Sequence, residues 1–172
     1  QSRTVQNCNG RIGQVNSMRT AFINTLHALA EQDKRIMLLS GDLGFSVLEK
    51  FQKEFPDRFL NMGVAEQNMI GTAAGLSLSG MKPYVYSIVP FATMRCFEQI
   101  RNDICYQNAD VKIVGTGGGL AYGNLGPTHH AREDIAIMRA LPNMTIVCPC
   151  DPIETELLVK ESLKLNSPLY LR

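Results

Sequence analysis

Hydrophobic positions along the chain follow two rhythms that take turns. Phe22, Leu26, Leu29 and Ala30 recur at the three-to-four spacing of a helix face, and IMLLS at 36–40 follows as a short apolar run closed by Gly41. The exchange then repeats. VLEKFQKEF at 47–55 predicts a short amphipathic helix, FLNM at 59–62 an extended run, and 65–80 a helix closing on Gly80, a residue suited to the position just past a helix end. Beyond it the pattern predicts strands over 83–89, 111–115, 144–148 and 169–172, with helices over 93–107, 133–141 and 152–164 between them. Strands that are apolar on both sides and alternate with helices form a mainly parallel sheet with helices on both faces, so the fold class is α/β. Residues 1–16 carry no apolar period and read as a disordered leader or tag remnant, which leaves 17–172 as one domain.

Such a sheet holds its ligands beyond the carboxyl ends of its strands. The segments predicted there are GDLGFS, GVAEQ, PFAT, TGGGLAYGNLGPTHH and PCDP. Lys plus Arg number 17 against 16 Asp plus Glu, a net charge of +1, which removes the electrostatic case for a nucleic-acid partner. No run approaches the ~18 apolar residues of a membrane helix, and QSRTVQNCNG lacks the layout of a signal peptide. The expected compartment is the cytosol, with no membrane partner. Cys8, Cys96, Cys105, Cys148 and Cys150 are odd in number and lack CxxC spacing, so reduced thiols are expected rather than a disulfide frame or a thiolate zinc site.

Two segments stand out for chemistry. The long glycine-rich loop 116–130 ends in His129 and His130; glycines let backbone N–H groups approach an anion, but neither GxGxxG in a first βα turn nor GxxxxGK[ST] is present. Glu133 and Asp134 follow the histidines at metal-ligand spacing, yet adjacent histidines on a turn point in different directions, and a metal site is not expected. Glu66 opens a predicted helix among Met62, Gly63, Val64, Ala65, Met69, Ile70 and Gly71. A first-turn acid is usually a solvated partner of the helix dipole. Here the apolar, small-residue surroundings place it where a carboxyl exchanges a proton with a heterocyclic nitrogen.

Five segments in order, LLSGDLGFS, FLNMGVAEQNMIGTAAGLSLSG, PFATMRCFEQIRNDICY, GLAYGNLGPTHHAREDIAIMRALPNM and CPCDPIETE, resemble the pyrimidine-binding domain of transketolase-like, thiamine-diphosphate-dependent enzymes. The resemblance runs from about Arg19 to Arg172 and is nearest to split transketolases, whose two sections are separate chains. It implies that Glu66 bonds N1′ of the cofactor's aminopyrimidine and promotes its activation, that Phe91 packs on that ring, and that His129 faces the reacting carbonyl. His130 matches a second histidine of the deoxyxylulose-phosphate synthase branch. Arg19, Ser46 and Arg172 match positions that contact a sugar phosphate. Two departures concern substrate: Gly117 stands where transketolases usually carry a phosphate-contacting histidine, and Asn124-Leu125 replace an acidic pair, one member of which reads a donor hydroxyl.

The family holds the cofactor's diphosphate and Mg²⁺ in a different domain through a GDG…N motif that this sequence lacks; Gly41-Asp42 is followed by LGFS. The implied partner is therefore the diphosphate-binding N-terminal section, in a homodimer or a dimer of such pairs, with a small sugar as substrate. The implied function is two-carbon ketol transfer. Alternatives are a deoxyxylulose-phosphate-synthase-like or 2-oxo-acid-decarboxylating enzyme, or a non-catalytic assembly module.

Overall fold

The computed structural model describes residues 17–172, so the leader expected over 1–16 lies outside the described residues. Helix α1 (Met18–Gln32) begins where the Ser17 side chain accepts a hydrogen bond from the Thr20 N–H, satisfying one of the free donors of a first turn. It leads into β1 (Ile36–Ser40), and α2 (Glu49–Glu54) connects β1 to β2 (Phe59–Asn61). Helix α3 (Glu66–Leu78) precedes β3 (Lys82–Ile88), with Gly80 at positive φ just past the helix end, as its sequence position predicted. After β3 come α4 (Val89–Ala92), a turn, α5 (Phe97–Gln99) and a π-helical turn over Ile100–Cys105. Strand β4 (Lys112–Thr116), α6 (Asp134–Arg139), β5 (Thr145–Val147), α7 (Pro152–Ser162) and β6 (Leu169–Leu171) complete the fold.

The six strands form one sheet in the order β2-β1-β3-β4-β6-β5, and every pairing is parallel. Alternate residues of each buried strand feed opposite cores. Ile36, Leu38, Tyr84, Tyr86, Val114 and Leu171 meet Phe22 and Leu26 of α1, Phe51 of α2 and Val159 of α7. Met37, Leu39, Val85, Ile113 and Tyr170 meet Met69, Ile70 and Ala73 of α3 and the segments around Val89, Ile100 and Met138. A period of two with both faces apolar is the physical reason the strands read as unbroken hydrophobic runs. Among the described residues no helix is long and apolar enough to cross a membrane.

The order of strands creates two places where the chain reverses direction across the sheet. From β1 the chain passes to β2 over the α2 face and returns to β3 over the α3 face, which opens a crevice at the carboxyl ends of β1 and β3. From β4 it passes over the α6 face to the edge strand β5 and returns over the α7 face to β6, opening a second crevice between β4 and β6.

One departure from the sequence pattern bears on the site. The helix expected over 93–107 starts earlier, at Val89, because Pro90 suits a first helical turn, and it then breaks over 93–96 before resuming. At the amino end of the sheet, Asp33 accepts from Arg35 Nε at 2.9 Å and Nη2 at 2.7 Å. These side-chain bonds, the largest influence, hold the Asp33 carboxyl down at about 2. Its folded value lies below the ~4 of an unfolded aspartate, so its stabilisation is complete above that pH and is lost as pH falls toward 2. Acid titration of stability should show this loss in the native protein, and Asp33→Asn should lack it.

Candidate active site

Glu66 sits at the first crevice, at the start of α3, and its side chain is 1% exposed. Oε1 faces the sheet, where Ser87 Oγ of β3 donates to it at 3.3 Å. Gly41, at the carboxyl end of β1, completes the cradle: a Cβ there would stand 3.2 Å from both Glu66 Oε1 and Ser87 Oγ, tighter than ordinary van der Waals contact. The other oxygen, Oε2, accepts from Arg95 Nη1 at 2.9 Å. Arg95 lies in the broken turn after α4, and its guanidinium also covers the Phe91 ring, with Cζ 4.1 Å from the ring centroid. The sequence pattern places Arg95 within a helix as one charge among several and gives no sign of this contact.

Phe91 extends the line of contacts. Its ring meets the edge of His129 with centroids 5.1 Å apart, and His129 meets Tyr122 at 5.9 Å. His129 Nδ1 is bonded to Thr128 Oγ1 at 2.9 Å, which leaves Nε2 as the nitrogen available to a ligand. His130 turns the other way, onto the Gly123 carbonyl at 3.0 Å, where its Nε2 donates. The loop that carries both histidines is closed at its base by paired backbone bonds between Gly119 and Ala131.

The second crevice contains a cavity of about 330 Å³ that brings Arg19 and Arg172 together with Tyr86, Thr116, Gly118 and Cys148. Arg172 is held in place: Nε donates to Asp134 Oδ2 at 2.9 Å and Nη2 to the Ala131 carbonyl at 3.2 Å, while the Tyr170 hydroxyl donates to the same Asp134 oxygen at 2.7 Å. Asp134 is therefore a support for Arg172, a role that its spacing from the histidines did not show. Burial raises the Tyr86 phenol above its usual range, and Thr116 and Arg19 beside its hydroxyl oppose that shift. Ser46 stands apart from this cavity, exposed and at positive φ in the loop after β1.

Tyr122 explains the glycine at 117. Gly117 has φ of +81°, and a Cβ there would lie 2.0 Å from Tyr122 Cε2, so the tyrosine ring occupies the space that a side chain at 117 needs. Gly117→Ala should destabilise the domain by roughly 2 kcal/mol or more, combining left-handed strain with the clash. Adding Tyr122→Gly should recover the steric part, a coupling measurable by a double-mutant denaturation cycle.

Residues 14–172 match the family described as the transketolase pyrimidine-binding domain. An apulose-4-phosphate transketolase chain of Phocaeicola vulgatus is 44% identical over 155 residues, which are 90% of this chain and 50% of that protein. A 1-deoxy-D-xylulose-5-phosphate synthase of Oleidesulfovibrio alaskensis is 37% identical over 158 residues, 91% of this chain but 24% of that protein. Among solved structures, a split-gene transketolase in an inactive β4 tetramer superposes with a TM-score of 0.81 at 42% identity, covering 91% of this chain and 50% of that one. The chain spans about half the length of the transketolase subunits and sections it matches.

Proposed function

The chain belongs to the transketolase pyrimidine-binding-domain family, and on that footing we propose that it supplies half of a thiamine-diphosphate-dependent site transferring a two-carbon ketol unit between sugars or related carbonyl compounds. The observation that carries this reading is the setting of Glu66: a buried carboxylate with one oxygen bonded by Ser87 beside Gly41 and the other bonded to a guanidinium that stacks on the Phe91 ring. That is the donor set an aminopyrimidine fits, a flat heterocycle needing a carboxyl at its edge and an apolar face beneath it.

When bound, thiamine diphosphate supplies the electron sink for breaking and forming a carbon–carbon bond beside a carbonyl. The rest falls to side chains. Glu66 would hold the ring and share a proton with its nitrogen, while Ser87 keeps the carboxyl from rotating away. Phe91 supports the ring face. His129 Nε2 moves a proton to or from the substrate oxygen, the task of a positioned imidazole whose other nitrogen is held by Thr128. Arg19 and Arg172, with the Tyr86 hydroxyl beside them, hold an anionic end of the substrate in the second crevice, while Ser46 and His130 contact the substrate outside that cavity.

The diphosphate and Mg²⁺ fall to a partner section, a reading supported by relatives that are themselves one subunit or section of a transketolase. The site then completes at the interface of the two sections, in a homodimer or a dimer of heterodimers, in the cytosol. The decarboxylating alternative draws on His130, whose Nε2 is committed to the Gly123 carbonyl, so ketol transfer is the better supported reading. The test is to combine the chain with a diphosphate-binding section, cofactor and Mg²⁺ and assay both reactions. Ketol transfer without carbon dioxide release from pyruvate is expected. Carbon dioxide release establishes the alternative, and neither reaction in an assembled, cofactor-loaded complex leaves the assembly module.

A further inference from the structure

We propose that Arg95 is a built-in stand-in for the cofactor's aminopyrimidine, occupying that ring's place until the cofactor displaces it. The inference rests on the reading of Glu66 and Phe91 as the groups that receive the ring. Both are covered by one guanidinium, through the 2.9 Å bond to Glu66 Oε2 and the stacking of Cζ 4.1 Å from the centroid of Phe91. A guanidinium shares the features by which an aminopyrimidine is recognised: it is planar, it stacks on an aromatic face, and it presents N–H to a carboxylate. An unpaired buried carboxylate is costly, so the cofactor-free domain gains from a cation at this position.

The contact is also built to be released. Glu66 is 1% exposed, whereas the Arg95 side chain is 42% exposed, so the arginine reaches in from the solvent side and leaves without disturbing the core. Its backbone lies in the non-helical turn between α4 and α5 and is tied to α3 by Gln67 Nε2, which donates to the Arg95 carbonyl at 3.1 Å. The base of the side chain stays fixed while the guanidinium swings. The cofactor must break one half-exposed ion pair and one stacking contact to enter, both individually weak. Binding through the aminopyrimidine alone is thereby discouraged, and the full cofactor, anchored also through its diphosphate, overcomes the competition.

The test measures the dissociation constant of thiamine diphosphate, with Mg²⁺, for the complex of this chain with a diphosphate-binding section, and records the near-ultraviolet circular-dichroism band of the bound aminopyrimidine. In Arg95→Met the cofactor should bind about 5- to 30-fold more tightly, since the competing ion pair and stacking contact are gone. Arg95→Lys, which keeps a cation beside Glu66 but not the planar stack, should bind with intermediate affinity and guards against misfolding of the first variant. The band should persist in both. Unchanged or weaker binding in Arg95→Met and Arg95→Lys, with the band present in the native complex, overturns the stand-in and leaves the cofactor site intact. Absence of the band in a cofactor-loaded native complex overturns the site and the stand-in together.

Discussion

Replacing Glu66 with Gln should lower the turnover of the proposed two-section enzyme by roughly 10²–10⁴-fold, the contribution expected of a positioned proton-transfer group, while leaving folding and assembly intact. Glutamine is nearly isosteric. Its amide oxygen still accepts from Ser87 Oγ, and its volume still fills the cradle beside Gly41. What it loses is the capacity to take and return a proton, together with the charge that pairs with Arg95. Steady-state kinetics on the complex, with sedimentation to verify assembly, provide the measurement. An assembly module would be indifferent to the substitution, so near-native turnover in Glu66→Gln would contradict the catalytic role.

The second large effect lies at the opposite end of the sheet and concerns stability alone. Lys82 and Lys112 open β3 and β4, and both are buried. Lys82 Nζ donates to Asp110 Oδ2 at 2.7 Å, and Lys112 Nζ bonds the other oxygen, Asp110 Oδ1. The remaining ammonium protons reach the Leu163, Leu165 and Ser167 carbonyls and Asn166 Oδ1, pinning the segment between α7 and β6. Burial lowers the Lys112 pKa, and Asp110 opposes that shift. Asp110→Ala leaves two buried cations without their carboxylate, at a cost of about 3–5 kcal/mol. That is a large share of the ~5–15 kcal/mol that holds a domain together, and it corresponds to a fall in Tm on the order of 10 °C. Thermal and denaturant unfolding measure it. The charge-free triple replacement Lys82→Met, Asp110→Leu and Lys112→Met should recover much of the loss, because the penalty is that of uncompensated charge. Recovery in the triple variant separates this cause from simple loss of packing.

The sheet was legible in the sequence because its strands are short, apolar on both sides and bounded by glycine, proline or polar turns. The observed strands begin and end within about two residues of the expected ones. The segment after β3 was less so: TMRCFEQIRNDICYQ has the periodicity of one helix, but Pro90 starts the helix early and a turn and a π-helical stretch interrupt it. That interruption points Arg95 back at Glu66, which periodicity has no means of encoding. Glu66 and the histidine loop stood out from their neighbours, and the parallel topology places them at the strand ends where ligands collect. Arg19 and Arg172 meet in one cavity because β6 inserts between β4 and β5, an order set by tertiary packing. The partners of these side chains, Ser87, Asp134, Tyr86 and Tyr122, lacked any local signal, since each acts through a contact made across the fold. The departure at Gly117 was visible as an anomaly, and its reason appears only in the placement of the Tyr122 ring.

If this domain presents Glu66 to a cofactor whose other end is held by a partner section, the bound aminopyrimidine carries the signature of that arrangement. Near-ultraviolet circular dichroism with thiamine diphosphate and Mg²⁺ reads it most directly, recorded on this chain alone, on the chain with a diphosphate-binding section, and on the same pair carrying Glu66→Gln. The expected result is an aminopyrimidine band that needs both sections and disappears in the Glu66→Gln pair. A demonstrably assembled, cofactor-loaded pair without that band, or one whose band survives Glu66→Gln unchanged, would contradict the shared site.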